Sequence, residues 1–316
     1  SAPPNPGIKL ARSGTFRWLC EQYFSSPNYT RLDDKTRRVR RQILEKVCES
    51  PIKPDSSKLA GDCPVTSFTS KLLRALRDRA IKNGRGSEAA NGIVKAVRQV
   101  FSFGVEAEHC ERNIARDVSY IQPDNVEGYH AWTLAEVEQF ERRHPIGSKA
   151  RLALGLLLYT CQRRSDVIRL GKSNEIEVTP DDPSAPPERW LRFTQWKNRK
   201  RKPIRLDIPI VPELLDLLAK SPVGKDHYLV NEFGRPFTAP GFGNWFRDRC
   251  VEAGVPGRAH GLRKASAARM ADDGRTTKQI MAITGHRTEK EVTRYTRSAE
   301  QRTLARAALI PNNRKL

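Results

Sequence analysis

The chain lacks the paired cysteines that zinc sites and secreted disulfide frameworks require. Its six cysteines are scattered over 316 residues, with no C-x-x-C pair and no cysteine–histidine cluster at zinc spacing. They are Cys20, Cys48, Cys63, Cys110, Cys161 and Cys250. This distribution predicts free thiols in a reducing cytoplasm.

Long apolar segments are missing as well. The longest run, Leu152 to Tyr159, is far shorter than the roughly 20 residues that a bilayer-spanning helix needs. The first residues do not show a charged region followed by an apolar stretch, as a secretory signal would. We therefore expect a cytoplasmic protein that is neither secreted nor inserted in a membrane.

Acidic residues are scarce relative to basic ones, since 36 Asp and Glu stand against 57 Lys and Arg, for a net charge of +21. Solubility alone needs far less charge, so a polyanionic partner such as nucleic acid is expected. The competing interpretation is a merely basic surface. The acidic residues do not cluster either, which argues against two-metal phosphoryl chemistry. We predict no metal and no other cofactor.

The length favours two domains, because single cores usually stop growing beyond about 250–300 residues. We expect an N-terminal tail over residues 1–14 and a helical unit over 15–120, where apolar residues recur at helical spacing. Residues 121–130 are rich in polar and turn-forming residues, which indicates a linker. The second unit then covers residues 131–316.

The second unit mixes helical patterns with a short β region. A capping box at Thr133 and Glu136 opens its first helix, and Lys149–Tyr159, apolar nearly all round, predicts a core helix. Strand-like runs lie at Glu175–Val178, Trp190–Trp196 and Ile204–Ile210. Further helices are predicted at Arg164–Leu170, Pro212–Lys220, Pro240–Ala253, Leu262–Asp272, Thr277–Thr284 and from Glu289 onward. The predicted fold class is mainly α with a small antiparallel β-sheet.

Four short motifs occur in order in the second unit. They are Thr160 to Asp166 (TCQRRSD), His260-Gly-Leu-Arg263, Gly285-His286 and, nine residues later, Tyr295. Taken singly, each has an ordinary explanation, such as a surface His/Arg pair on a helix or a half-buried packing tyrosine.

Together, their order and spacing resemble the tyrosine recombinase, or phage integrase, family. The signature of that family is Arg, Lys, His-x-x-Arg, His or Trp, and then a nucleophilic Tyr. Cys161 stands where the family's T-G-x-R-x-S-E box prefers Gly, and Asp166 where it usually has Glu. The resemblance implies a helical core-binding domain followed by a catalytic domain, and a catalytic set made of Arg163, Lys197, His260, Arg263, His286 and Tyr295.

The resemblance also implies a role for each residue. Tyr295 would attack a DNA phosphate, and Arg163 and Arg263 would stabilise the charge that develops on its oxygens. His260 and His286 would add hydrogen bonds to the same oxygens, and one of them, His260 by resemblance, would take the tyrosine proton. Lys197 would protonate the leaving 5′ oxygen, with Lys200 and Lys202 as alternatives in the same basic turn. Asp166 would buttress a catalytic arginine, unless it is only a surface charge.

The implied partner is a double-stranded DNA recombination site, bound by a homotetramer on two duplexes, with an accessory DNA-bending protein as an optional component. Phosphate contacts are expected from Arg37, Arg38, Arg40, Arg41, Arg199, Lys200, Arg201 and Lys202. We expect a nucleoid-associated protein encoded by a bacterium or a phage. A tail from Arg297 to Leu316 would dock on a neighbouring subunit or on its own domain, and the chain begins too late to include the arm-binding domain of some phage integrases.

Two other functions remain open from the sequence. A type IB topoisomerase shares the tyrosine chemistry but relaxes DNA as a monomer. A non-catalytic DNA-binding factor on the same scaffold is the second alternative, and the complete set of six residues argues against it.

Overall fold

The computed structural model of the chain describes residues 11–123, 130–182, 184–197, 199 and 201–296, the last three without their side chains. Most of the predicted N-terminal tail and linker, Lys200, the side chain of Tyr295 and the predicted C-terminal tail lie outside the described residues. The chain divides into two compact units, Ser1–Val126 and Glu127–Leu316. No helix in the described ranges is long and apolar enough to cross a membrane.

The described part of the first unit is built from helices. They are α1 (Phe16–Ser25), α2 (Pro27–Thr30), α3 (Asp34–Cys48), α4 (Ser70–Lys82) and α5 (Gly86–Glu106). The side chains of Thr15, Asp33 and Thr69 accept hydrogen bonds from first-turn amides, so α1, α3 and α4 begin at capped ends. The rings of Phe16 and Phe68 pack with centroids 4.3 Å apart in the core. The predicted helical bundle is confirmed.

The second unit contains a small sheet among helices. Its strands are β1 (Glu175–Val178), β2 (Glu188–Thr194) and β3 (Arg205–Pro209), antiparallel in the order β1-β2-β3. Its helices are α6 (Leu134–Arg143), α7 (Lys149–Thr160), α8 (Arg164–Val167), α9 (Pro212–Lys220), α10 (Ala239–Glu252), α11 (Ala259–Asp272), α12 (Thr277–Thr284) and α13 (Glu289–Thr296). This arrangement confirms the predicted fold class, and the predicted capping box at Thr133 is present.

Two helix boundaries differ from the prediction and affect the site. Helix α8 ends at Val167 rather than Leu170, because the amides of Arg169 and Leu170 bond only three residues back. Helix α11 begins at Ala259 rather than Leu262. The predicted helix excludes Gly261, but Gly261 lies in the first turn of α11, where a Cβ would approach the carbonyl oxygen of His130 to 2.1 Å. The early start places His260 on the helix.

The core of the second unit surrounds α7. Most side chains of this helix are buried, as its nearly uniform apolar pattern predicted. A smaller apolar cluster joins α11, α12 and α13 and consists of Cys161, Ala267, Ala271, Ile280 and Val292. Through Val292 this cluster fixes the helix on which Tyr295 lies.

Candidate active site

Three separate parts of the second unit bring the predicted catalytic residues together. Arg163 precedes α8, His260 and Arg263 lie on α11, and His286 follows α12. The charges of Arg163, Arg263 and Lys197 all act on the pKa of both histidines. Five of the six predicted residues therefore share one positively charged site, which suits an anion such as a phosphodiester.

Arg263 is buried, with 1% of its surface exposed. Its Nη1 donates to the carbonyl oxygen of Cys161 at 2.8 Å, and its Nη2 donates to that of Thr284 at 2.8 Å. Nη2 also lies 3.1 Å from Nε2 of His286. A guanidinium keeps its charge in such a place, and the hydrogen bonds that it donates offset part of the cost of burial. The guanidinium is thus held in one orientation by the fold.

His286 is a neutral hydrogen-bond acceptor in this structure. Burial and the charge of Arg263 lower its pKa to about 4. Thr284 Oγ1 donates to the carbonyl oxygen of Ile280 at 2.7 Å and lies 2.7 Å from Nδ1 of His286. Because that hydroxyl has only one proton, Nδ1 is the donor of this pair. Nε2 therefore accepts from Arg263, whereas the sequence suggested that His286 would donate to the phosphate.

His260 lies in the first turn of α11 and is exposed. Partial desolvation lowers its pKa, and the charges of Arg263 and Arg163 lower it further. A histidine that stays neutral at physiological pH can accept a proton, which is what a general base requires.

Arg163 is oriented by a buried amide pair that the sequence analysis did not identify. Its Nη1 donates to Oε1 of Gln195 at 3.0 Å. Gln195 in turn donates from Nε2 to Oε1 of Gln162 at 2.8 Å and to the carbonyl oxygen of Thr284 at 2.9 Å. Both glutamines are fully buried. Since Arg263 bonds the same Thr284 carbonyl, both arginines are tied to one segment before His286.

A signal for Gln195 was present in the sequence. Along β2, Leu191 and Phe193 point inward at a spacing of two, and Gln195 continues this alternation. A polar residue at an inward position must find hydrogen-bond partners. No comparable pattern marks Gln162, which follows the end of α7.

Asp166 is buried and accepts a hydrogen bond from the backbone amide of Trp196 at 2.6 Å. Burial raises its pKa, although the Trp196 amide and the nearby charge of Arg163 oppose this. Its second oxygen, Oδ2, has no hydrogen-bond partner among the described residues. The sequence suggested a contact with a catalytic arginine, and the structure instead joins Asp166 to the turn that carries Lys197.

Lys197 is exposed and lies in the turn three residues after the end of β2. Its basic neighbours in this turn differ in their surroundings. Arg199 lies over the ring of Trp196, with its Cζ 3.2 Å from the ring centroid. Arg201 and Lys202 are exposed, and the carbonyl oxygen of Lys202 accepts from Arg287 at 3.0 Å. Not every basic side chain of the turn is therefore available for phosphate contacts, since that of Arg199 packs on Trp196.

Cys161 stands at a position whose backbone favours glycine. It follows α7 with φ +54°, in the left-handed region that favours glycine. Its carbonyl oxygen accepts from Arg263, and its thiol is buried. The left-handed turn thus aims a carbonyl at Arg263.

The four arginines of α3 lie on one helix, and most of them have intrachain partners. Arg37 pairs with Asp34, Arg40 donates to the hydroxyl of Tyr23, and Arg41 pairs with Glu45. Arg38 is exposed and has no hydrogen-bond or ionic partner among the residues that the structure describes. It is the most available of the four for a phosphate.

Comparison with known proteins agrees with these features. The phage integrase family model matches residues 133–302, more than half of the chain. A lambda integrase tetramer bound to a Holliday junction is similar, with a TM-score of 0.69 at 17% identity over 89% of this chain and 77% of that one. The Tn1549 transposon integrase with a circular intermediate DNA gives 0.72 at 16% identity, over 94% and 99%. No curated protein matches by sequence.

Proposed function

The chain belongs to the phage integrase family and is a site-specific tyrosine recombinase, and we propose that its chemistry runs through a covalent bond between Tyr295 and a DNA phosphate. The observation that carries this proposal is the pair of arginines, Arg163 and Arg263, held by the same Thr284 carbonyl, one directly and one through Gln195. Fixed cationic forks suit the developing charge of a phosphoryl transition state because they need no reorganisation during the reaction.

In the proposed cleavage step, two proton transfers accompany the exchange of one phosphorus–oxygen bond for another. The Tyr295 oxygen gives its proton to His260 and attacks the phosphorus. This attack forms a 3′-phosphotyrosyl bond between Tyr295 and the DNA. The bond from phosphorus to the 5′ oxygen breaks, and Lys197 donates the proton that this oxygen needs. Rejoining reverses both transfers, so the phosphodiester energy is retained in the tyrosyl ester and ATP is not required.

The proposed role of His286 differs from the other five. Its neutral ring accepts from Arg263, so it orients that arginine toward the phosphate. A hydrogen-bond acceptor of this kind fixes the direction in which the remaining donors of the arginine point.

We extend the proposal to the DNA complex. The basic charge of the chain supports binding to duplex DNA through phosphates, with an affinity that falls steeply as salt rises. Arg38 in the helical first unit and the exposed Arg201 and Lys202 in the second are the proposed contacts. By analogy with the lambda integrase tetramer on a Holliday junction, the active assembly is a tetramer on two duplexes.

A nicked suicide substrate tests the chemistry. Loss of the short strand beyond the nick prevents rejoining, so an active enzyme accumulates a covalent adduct that survives denaturant. Tyr295→Phe removes only the nucleophilic oxygen and is expected to bind the same DNA without forming the adduct. An adduct that persists in Tyr295→Phe would refute the assignment. Relaxation of supercoils without any paired recombination site would favour the topoisomerase alternative.

A further inference from the structure

Trp196, the residue directly before Lys197, is held at three points. Its backbone amide donates to Asp166 Oδ1 at 2.6 Å. The guanidinium carbons of Arg169 and Arg199 lie 3.6 Å and 3.2 Å from its ring centroid. We call these contacts the Trp196 clamp.

Both arginines of the clamp are themselves anchored to the backbone. Arg169 donates from Nη1 to the carbonyl oxygen of Ser165, and Arg199 donates from Nη1 to that of Trp196 at 3.1 Å. Each guanidinium lies well within the roughly 6 Å at which cation–π attraction operates. Trp196 is 39% exposed, so core packing does not account for how it is held.

We propose that Trp196 is a positioning residue that sets where Lys197 stands at the reacting phosphate, an inference that rests on the proposed role of Lys197 as general acid. The peptide between the two residues is planar, so fixing the amide, ring and carbonyl of Trp196 fixes the direction in which the Lys197 backbone leaves it. Lysine has a flexible four-carbon stem, and its ammonium can find the leaving oxygen only if the stem starts from a defined point.

The clamp also gives Arg199 a role other than the phosphate contact that the sequence suggested. Its guanidinium stacks on Trp196 and binds the carbonyl of the same residue. Arg199 thereby ties the turn between β2 and β3 to the indole. Loss of Arg199 should consequently resemble loss of the indole.

The test compares cleavage of two suicide substrates that differ only in the leaving atom. One carries the normal 5′ oxygen and the other a bridging sulfur, which leaves without a general acid because a thiol's pKa is about 8.5. Trp196→Ala is expected to form adduct roughly 10²-fold more slowly on normal DNA, the cost of misplacing a catalytic group by about 1 Å. On the sulfur substrate it should recover to within about threefold of the wild type.

Two comparison variants sharpen the result. Trp196→Phe keeps a flat ring between the arginines and should lose less than Trp196→Ala. Trp190→Ala removes a half-buried tryptophan from β2, the strand that precedes the turn, and the Nε1 of Trp190 donates to Glu188 outside the clamp. It should cleave both substrates like the wild type, which separates the clamp from a general loss of sheet stability.

The possible outcomes distinguish a failure of the clamp proposal from a failure of the general-acid role proposed for Lys197. If Lys197→Ala is rescued by sulfur while Trp196→Ala is slowed equally on both substrates, the clamp proposal is wrong, and Trp196 serves DNA binding or folding instead. If Lys197→Ala is not rescued, Lys197 is not the general acid and the positioning role falls with it. The double variant of Trp196→Ala and Lys197→Ala adds a further check. If Trp196 acts only through Lys197, the double variant should cleave normal DNA as fast as Lys197→Ala alone.

Discussion

Arg263 donates a hydrogen bond from Nη2 to Nε2 of His286 across 3.1 Å, in a site where Nδ1 of the histidine already faces the Thr284 hydroxyl. The imidazole therefore holds the arginine through its lone pair and must be neutral to do so. A second proton on the His286 ring would remove the lone pair of Nε2 that accepts from Arg263. It would also place a positive charge beside the buried guanidinium. This relationship makes the site sensitive to acid.

We predict that the second unit loses stability as the pH falls from 6.5 towards 4. The unfolded chain protonates His286 near the ordinary value of 6.5, whereas the folded chain does so only at about 4. The unfolded state thus binds more protons in this window, and the stability present above pH 6.5 is lost progressively below it. The lowered pKa of His260 acts in the same direction. Thermal unfolding measured across this range provides the check.

His286→Gln isolates the contribution of the histidine, because an amide oxygen can accept from Arg263 but does not titrate. Its melting temperature should fall less steeply between pH 6.5 and 4 than that of the wild type. His227→Gln, in the same unit beside Gly171 and Gly224, serves as the matched control and should keep the wild-type slope. Equal slopes for all three proteins would contradict the neutral-acceptor assignment.

Arg163 and Arg263 should respond differently to truncation. Arg263→Ala removes a fully buried side chain and leaves the Cys161 carbonyl without its donor, so we expect a loss of about 2–3 kcal/mol of stability. Arg163→Ala removes a half-buried side chain with a bond to Gln195 and should cost about 1 kcal/mol. Both should abolish adduct formation. Urea unfolding measures the difference, and a stable Arg263→Ala protein would show that the buried network contributes little.

Gly285→Ala should cost more than the strain of placing an alanine in the left-handed region, because the new Cβ would also clash with Gln195. Gly285 has φ +69°, and a Cβ there would lie 2.7 Å from Nε2 of Gln195, which orients Arg163. Gly234 has φ +70° with nothing within 4 Å of its Cβ position, so Gly234→Ala should cost only the conformational term of about 1–2 kcal/mol. Adduct formation should be lost in the first variant and kept in the second. Retained cleavage in Gly285→Ala would argue against the Gln195 link.

Cys161→Gly should be tolerated even though the thiol is buried. The loss of roughly 1 kcal/mol of burial is offset by relief of about 1 kcal/mol at φ +54°. Cys250, buried within α10, provides the control, since Cys250→Gly loses burial and about 0.3 kcal/mol of helix propensity, with no left-handed backbone to relieve. Chemical denaturation of both variants tests this, and equal destabilisation would show that the left-handed turn at Cys161 carries no strain.

Cleavage should persist in excess EDTA. The charges of Arg163, Arg263 and Lys197 at the site supply the stabilisation that a divalent ion would otherwise give, and they oppose the binding of one. The adduct assay with and without chelator measures this directly. Loss of adduct with DNA binding intact, restored by magnesium, would identify a metal requirement.

Much of the fold could be predicted because its signals are local. Periodicity and capping gave α9 and α12 with the bounds that the structure shows, and β1 likewise. The error at α11 arose where a distant contact decides, at Gly261, which packs against His130. The error at α8 arose because its last amides bond three residues back rather than four, which apolar periodicity does not show. The order of motifs identified the site residues, since their chemistry is a property of side-chain type. The catalytic roles of these residues remain predictions.

By itself, the sequence determined the basic charge, the helical units and the set of chemical groups available for phosphoryl transfer. Only the tertiary structure decided how those groups are held: that Arg263 is buried, that His286 is an acceptor, and that Asp166 binds the amide of Trp196. Arg263 and Cys161 are 102 residues apart in the chain, and Gln162 and Ile283 are 121 apart. Hydrogen bonds across such separations depend on how the helices pack, which no local pattern encodes.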